Sequence, residues 1–251
     1  MDPAWAERYA VLEERHPWFV ARRELFCALA AGREHGRVLD VGCGTGMLLA
    51  ELERRGFGHL EGVEPDAALR ARVRRPGLAL HEALPDGTFD TVFMLDVLEH
   101  IEDDSGTLRR VHGMLAPGGR LFVSVPAHPF LWSAHDEVNH HVRRYRRDEL
   151  SARLREAGLR VARLTYWNAA LFVPLAVLRR LGLGGRAREL ELSPGPGSAL
   201  WLRLLRLENA LVPRTGLPIG VSLVAVADRE ERQGTGEKAG DRPAPGPERP
   251  S

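Results

Sequence analysis

Two cysteines, Cys27 and Cys43, are all that the 251 residues contain. That is too few for a disulfide framework or a zinc cluster, and it agrees with a reducing cytoplasm as the expected location. An excess of one charge sign is also missing. The 35 Lys and Arg against 34 Asp and Glu leave +1, which provides no basic field for nucleic acid, and no basic run is interleaved with aromatics. Nucleic acid is therefore not an expected substrate. No uncharged stretch is long enough to span a bilayer, and Met1-Asp2-Pro3-Ala4-Trp5-Ala6-Glu7-Arg8 lacks the basic-then-apolar order of a signal peptide. Internal repeats are absent. What remains is an ordinary composition, 44% hydrophobic and 27% charged, which suits one α/β domain with additions.

Val38-Leu39-Asp40-Val41 runs into Gly42-Cys43-Gly44-Thr45-Gly46 and then the helix-like Met47-Leu48-Leu49-Ala50-Glu51-Leu52. An apolar strand followed by glycine at every second position reads as a nucleotide-binding turn. Glycine permits the tight reversal and the close approach of a ligand. The start of the next helix offers it free N–H groups and a positive dipole end. The dinucleotide fingerprint wants its third glycine where Met47 stands; here it arrives one residue early, at Gly46. This weighs against an NAD-dependent oxidoreductase. Cys43 reads as a small residue within the turn. Glu64, eighteen residues beyond Gly46, lies near the distance at which such units set a carboxylate on ribose hydroxyls. The alternative is a surface glutamate before a helix.

Residues from about 5 to 33 have helical spacing with a break at Pro17. Strands are expected at Val38–Val41, Leu60–Val63, Leu78–Leu80, Phe89–Leu95 and Arg120–Val125, the last introduced by the turn Pro117-Gly118-Gly119. Helices follow the glycine turn, ending near Gly56, and begin again at Asp66. A helix at Asp148–Ala157, a strand at Arg160–Tyr166 and a final strand at Gly220–Ala227 complete the pattern. The expected fold is α/β, a doubly wound, mostly parallel seven-stranded sheet. Along the chain this gives an N-terminal helical cap (1–36), a Rossmann-like core (37–167), a helical insertion (168–217), the core's final strand (218–228) and a disordered tail (229–251).

The G-x-G-x-G turn, with Asp40 just before it, resembles the first motif of class I S-adenosylmethionine-dependent methyltransferases. The resemblance implies that Gly42, Cys43, Gly44 and Gly46 carry the methionine end of the cofactor and that Asp40 helps hold its amino group. It assigns Glu64, with Pro65 beside it, to the ribose, and matches Glu82 and Ala83 to the positions that meet adenine; Glu for the usual Asp is a departure. Phe89–His100 is similar to the fourth-strand motif, whose end, Leu95 and Asp96, floors the pocket beneath the sulfonium. In that family the last two strands form an antiparallel hairpin, so the insertion between them is extra. Glu14–Arg23 and the pattern Leu131-Trp132-Ser133 to Arg144-Tyr145 resemble a bacterial subgroup, similar to quinone-biosynthesis methyltransferases. There the resemblance implies a helix folded over the cofactor with Arg22 or Arg23 near its carboxylate; the alternative is that Trp18 and Phe19 simply pack that helix.

Methyl transfer is an in-line displacement that needs alignment and exclusion of water, and a hydroxyl acceptor needs a base. Four histidines, His128, His135, His140 and His141, fall after the fifth strand, at the sheet edge where open α/β proteins bind ligands. His135, His140, His141 and the earlier His100 are the catalytic candidates, with Asp136 placed to orient one. A polar loop whose histidines satisfy the backbone is the alternative. Arg143–Arg147 can meet an anionic substrate, or it can open a solvated helix capped by Asp148. In quinone-biosynthesis methyltransferases a run similar to Asp96, Glu99, His100 is linked to a divalent metal, but Leu-Glu-His also occurs in metal-free relatives, so no metal is expected.

In the insertion, Ala199–Val212 is apolar apart from a narrow strip of Arg203, Arg206, Glu208 and Asn209. Packing on the domain or a partner is the favoured reading; a homodimer seam or a peripheral membrane contact through 168–217 are the others. The expected function is methyl transfer from S-adenosyl-L-methionine to a small-molecule or lipid- or sugar-linked acceptor, with oxygen first. A catalytically silent S-adenosylmethionine-binding partner protein is the competing reading.

Overall fold

A computed structural model describes residues 3–73, 75, 77–181 and 197–230. The strands are β1 (Arg37–Val41), β2 (His59–Val63), β3 (Ala79–His81), β4 (Phe89–Leu95), β5 (Leu115–Pro126), β6 (Arg160–Trp167) and β7 (Ser222–Asp228). They form one seven-stranded sheet in the order β3-β2-β1-β4-β5-β7-β6. β1 to β5 pair in parallel, and β7 runs antiparallel to both β5 and β6. The doubly wound sheet and the closing hairpin are therefore as expected from the chain.

The helices are α1 (Pro3–Arg15), α2 (Pro17–Leu29), α3 (Met47–Arg54), α4 (Ala67–Arg70), α5 (Asp104–Met114), α6 (Ala134–Val138), α7 (Arg147–Glu156), α8 (Ala169–Arg180) and α9 (Ser198–Leu211). The break at Pro17 separates α1 from α2, with His16 as the N-cap and Pro17 in the first turn. Central strands alternate between two apolar layers. Leu39, Val92 and Val123 face one side with Tyr145, Leu150 and Leu154. Val38, Phe93 and Phe122 face the other with Leu25, Phe26 and Leu205. Burial on both faces explains why these strands read as continuous apolar runs.

Two local expectations are corrected. β5 begins at Leu115, not Arg120, and carries Pro117-Gly118-Gly119 inside it. Arg229 clasps that stretch, accepting from Gly118 N–H at 3.1 Å and donating to Gly119 O at 2.8 Å, so the turn stays within the sheet. α7 has Arg146, not Asp148, at its N-cap, and Glu149 reaches back to the Arg146 N–H at 3.5 Å. In the polar strip of α9, Glu208 and Asn209 point inward while Arg203 and Arg206 are exposed. Glu208 accepts from Ala169 and Ala170 N–H at 3.0 Å each, capping α8. Asn209 bonds Trp167 Nε1 and Ala21 O, and Arg206 bonds Glu24. Leu200, Leu204, Leu207 and Leu211 are exposed as well, Leu207 at 64%. A helix that must dock on a partly polar surface turns its hydrogen-bonding groups toward it. The link at 182–196 and the tail from 231 onward lie outside the described residues.

Candidate active site

The glycine turn sits at the carboxyl end of β1, where strand order reverses between β1 and β4. Gly42, Gly44 and Gly46 have φ of 72°, 56° and 80°, a region that costs a side-chain-bearing residue about 1–2 kcal/mol. A Cβ on Gly42 would also stand 2.5 Å from Val97 Cγ2. Gly42 and Cys43 N–H both donate to Val63 O, at 2.8 and 2.9 Å, fastening the turn to the end of β2. Cys43 is buried against Gly62, where an added Cβ would come within 2.8 Å of its sulfur, so the site takes only a small residue.

Glu64, at the end of β2, accepts from Gly44 N–H and Asp66 N–H at 2.9 Å each. Its burial raises its pKa against those two bonds. Each oxygen keeps a lone-pair site for a hydroxyl. Asp40 is 4% exposed, and no hydrogen bond reaches its carboxylate among the described residues; burial pushes it up to about 8. From α1, Glu13 accepts from the Thr45 hydroxyl at 2.6 Å and Thr45 N–H at 3.0 Å. Burial raises its pKa too. Tyr9 lies within electrostatic reach of Glu13, Arg22, Glu64 and Asp96.

Arg22 projects from α2 beneath the Trp18 and Phe19 rings, 4.5 and 5.1 Å from their centroids. It pairs with Asp96, which also accepts from the Ser124 hydroxyl at 2.8 Å. The aromatics pack against the Arg22 guanidinium, which also lies at the end of β4, donating to Leu95 O at 3.4 Å. Asp96 itself has φ 57°, backbone strain of the kind held at functional positions. Acids outnumber cations here, with Glu13, Asp40, Glu64 and Asp96 around one guanidinium. Such a donor set fits a ligand carrying an ammonium and a sulfonium. Glu82, by contrast, is 78% exposed in its side chain and pairs with Arg70, while Ala83 and Pro65 are also exposed.

Beyond Asp96 the chain makes one 3-10 turn, Leu98–His100. Glu99 is 1% exposed, and neither carboxylate oxygen has a partner. Burial and then the Asp96 charge push its pKa well up. His100 meets His141 edge to face at 4.8 Å between centroids; desolvation and then His141 lower the pKa of His100. His141 Nδ1 lies 2.9 Å from Asp136 Oδ1, which also accepts from Arg144 Nε at 2.7 Å. Burial would raise Asp136, but the bonds from His141 and Arg144 bring it well below the usual carboxylate range. His135 joins the edge of this group, 6.3 Å from His141 and 3.2 Å from Asn139. His140 is exposed at a corner with φ 56°, and His128 lies apart, stacked on Tyr166.

One atom each from Glu99, His100 and His141 lies within 4.8 Å of the others, a geometry able to hold a metal ion. Asp96 is engaged by Arg22 and Ser124 instead, so the trio read from the sequence, Asp96, Glu99 and His100, is not the trio brought together. Sequence reasoning missed Tyr9, Glu13 and Ser124, which act across long stretches of chain with no local motif to mark them; Arg144 was read as a contact for an anionic substrate and instead holds Asp136.

A sheet of this order with a glycine turn and an acidic cluster at its switch point defines a class I S-adenosylmethionine-dependent methyltransferase. Residues 8–164 match the family described as a methyltransferase domain, and the chain belongs to that family. Among curated relatives, the ubiquinone biosynthesis O-methyltransferase of Pseudomonas aeruginosa strain LESB58 is 32% identical over 157 residues, 52% of this chain and 67% of that protein. The protein of the same name from Aeromonas salmonicida is 33% identical over 101 residues; the match covers 35% of this chain and 42% of that protein, less than half its length. Among solved structures, a chain of the Haloferax volcanii complex with the Trm112 methyltransferase activator aligns with a TM-score of 0.62 at 21% identity, covering 91% of this chain and 95% of that one. Phosphoethanolamine N-methyltransferase 2 of Haemonchus contortus, solved with S-adenosyl-L-methionine, aligns at 0.55 with 14% identity, covering 83% and 52%. These structures share the fold. The cofactor is S-adenosylmethionine, and the dehydrogenase alternative falls away.

Proposed function

We propose that the protein methylates an oxygen of a small-molecule or lipid- or sugar-linked acceptor, with His141 as the base. The observation that carries this reading is the chain Arg144–Asp136–His141. A carboxylate held by a buried arginine accepts the His141 Nδ1 proton, leaving Nε2 with a lone pair and no hydrogen bond among the described residues. S-adenosylmethionine, when bound, supplies an electrophilic methyl group on a sulfonium. The protein's work is to align, exclude water and take a proton. Glu64 holds hydroxyls, Asp40 an ammonium, and the Arg22–Asp96 pair closes the floor. His141 Nε2 receives the acceptor's proton as the oxygen attacks. The name of the curated relatives supports oxygen as the methylated atom.

Incubation with methyl-labelled cofactor and metabolite extracts would identify the product. On that substrate, His141→Ala is expected to lower kcat by about 10²–10⁴ with unchanged cofactor affinity. Full turnover in the His100, His135, His140 and His141 alanine variants would sink the base assignment.

A second reading is favoured by the two unpartnered Glu99 oxygens. Glu99, His100 and His141 would hold a divalent cation, which lowers an acceptor hydroxyl's pKa; His141 Nε2 is then a ligand and not a base. Chelator-sensitive turnover restored by added metal would select this reading, and insensitivity would select the first.

The same reading treats residues 1–36 as a cap over the cofactor and 168–217 as an insertion beside the acceptor side. The exposed leucines of α9 suit a homodimer seam or membrane contact. No helix among the described residues is long and apolar enough to cross a membrane, and the activity is assigned to the cytoplasm.

A further inference from the structure

A second concavity, of about 790 Å³, lies away from the glycine turn against β6. β6 is the terminal strand of the sheet, four strand positions from β1, or roughly 19 Å at the usual spacing. Successive residues Val161 to Leu164 line the groove. Because neighbouring residues of a strand face opposite ways, it follows the strand's open edge. Four guanidiniums, Arg146, Arg147, Arg155 and Arg163, meet there with one carboxylate, Asp148.

Other arginines of the chain are matched to acids, Arg143 with Asp104, Arg144 with Asp136, Arg120 and Arg160 with Asp228, Arg206 with Glu24, while Arg110 and Arg229 bond carbonyls singly and away from the groove. In the groove, Arg147 donates to Leu164 O at 3.0 Å, and Arg163 to Val212 O and Pro213 O at 2.8 and 2.7 Å. Carbonyls orient a guanidinium but do not neutralise it, and each group keeps further N–H donors. Arg146 and Arg155 make no ion pair among the described residues, and the nearby Glu149 is turned back to the Arg146 backbone.

The upper end of the groove is aromatic. His128, at φ 61°, stacks flat on Tyr166 with centroids 5.0 Å apart, and its Nε2 is buried without a partner. Phe130 stands 64% exposed beside it.

We propose that this groove binds a phosphate or diphosphate group, held by the Arg146 and Arg155 side of the wall, whose attached apolar or aromatic moiety lies on His128, Tyr166 and Phe130. Guanidiniums match phosphoryl oxygens in geometry as well as charge. The site does not depend on which acceptor the methyl group reaches.

The test is titration of the full chain with inorganic pyrophosphate, geranyl diphosphate and phosphatidylcholine vesicles with and without phosphatidate, beside the double variant Arg146→Glu/Arg155→Glu. Both side chains are exposed and make no ion pair among the described residues, and the cap bonds at Arg146 run through its backbone, so the variant is expected to fold and to bind S-adenosylmethionine as before. Saturable pyrophosphate binding, weakened at least about tenfold in the variant and tightened by the geranyl chain, is expected. Phosphatidate-dependent vesicle binding lost in the variant, with both soluble probes inert, would place the phosphate on a lipid headgroup. The proposal is overturned if no probe binds, or if those that bind do so equally to both proteins.

Discussion

Asp40 and Asp136 are both buried and titrate in opposite directions. Asp40, at the donor end, sits at 4% exposure with no hydrogen bond among the described residues, and burial carries it up to about 8. Asp136, at the acceptor end, is fully buried but receives bonds from His141, Arg144 and the Ser133 backbone, and lies well below the usual range. Burial alone does not decide a carboxylate's state; the number of donors aimed at it does. Asp136 is thus satisfied by its neighbours, whereas Asp40 has no hydrogen-bond donor among the described residues.

The comparison breaks most visibly if Asp136 is removed. Asp136→Ala leaves the Arg144 guanidinium buried and unpaired and removes the α6 capping box. A loss of about 3–5 kcal/mol in urea unfolding is expected. Asp40→Asn should do the reverse, holding or raising stability while weakening S-adenosylmethionine binding by about ten- to a hundredfold in calorimetry, since a charged hydrogen bond is lost.

Opposite pH dependences come next. A carboxylate whose folded pKa is raised binds its proton more tightly when folded, so Asp40 contributes a fall in stability as pH rises from its unfolded value near 3.8 through about 8. Cofactor affinity should climb over the approach to that upper value, as the carboxylate ionises. Asp136, with a lowered pKa, contributes stability present above 3.8 and lost as pH falls through its folded value. Asp40→Asn should flatten the first slope and Asp136→Asn the second, measured as unfolding midpoints against pH. Least affected is the exposed pair between α9 and α2: Arg206→Ala should cost less than about 1 kcal/mol.

The legible parts of this chain are those with local causes. Glycine at Gly42, Gly44 and Gly46 is demanded by backbone angles, and Glu64 follows from the length of one β-α-β unit, so the turn and the acid bonded to it could be read in order. The continuation of β5 through Gly118 and the inward turn of Glu208 and Asn209 could not, because each depends on a partner distant in sequence. Only the position of Trp167, Ala169 and Ala21 shows that these two polar residues are part of the docking surface.

The order of apolar runs and turns was enough to specify a doubly wound sheet with a methyl-donor turn, since strand period, glycine conformation and helix starts are properties of neighbouring residues. The partners of the buried charges were settled in three dimensions. Glu13 came to Thr45, Arg22 to Asp96, Arg144 to Asp136, and Glu99 to none. The energy of a charge depends on what surrounds it in space, and neighbours in the chain carry little of that information.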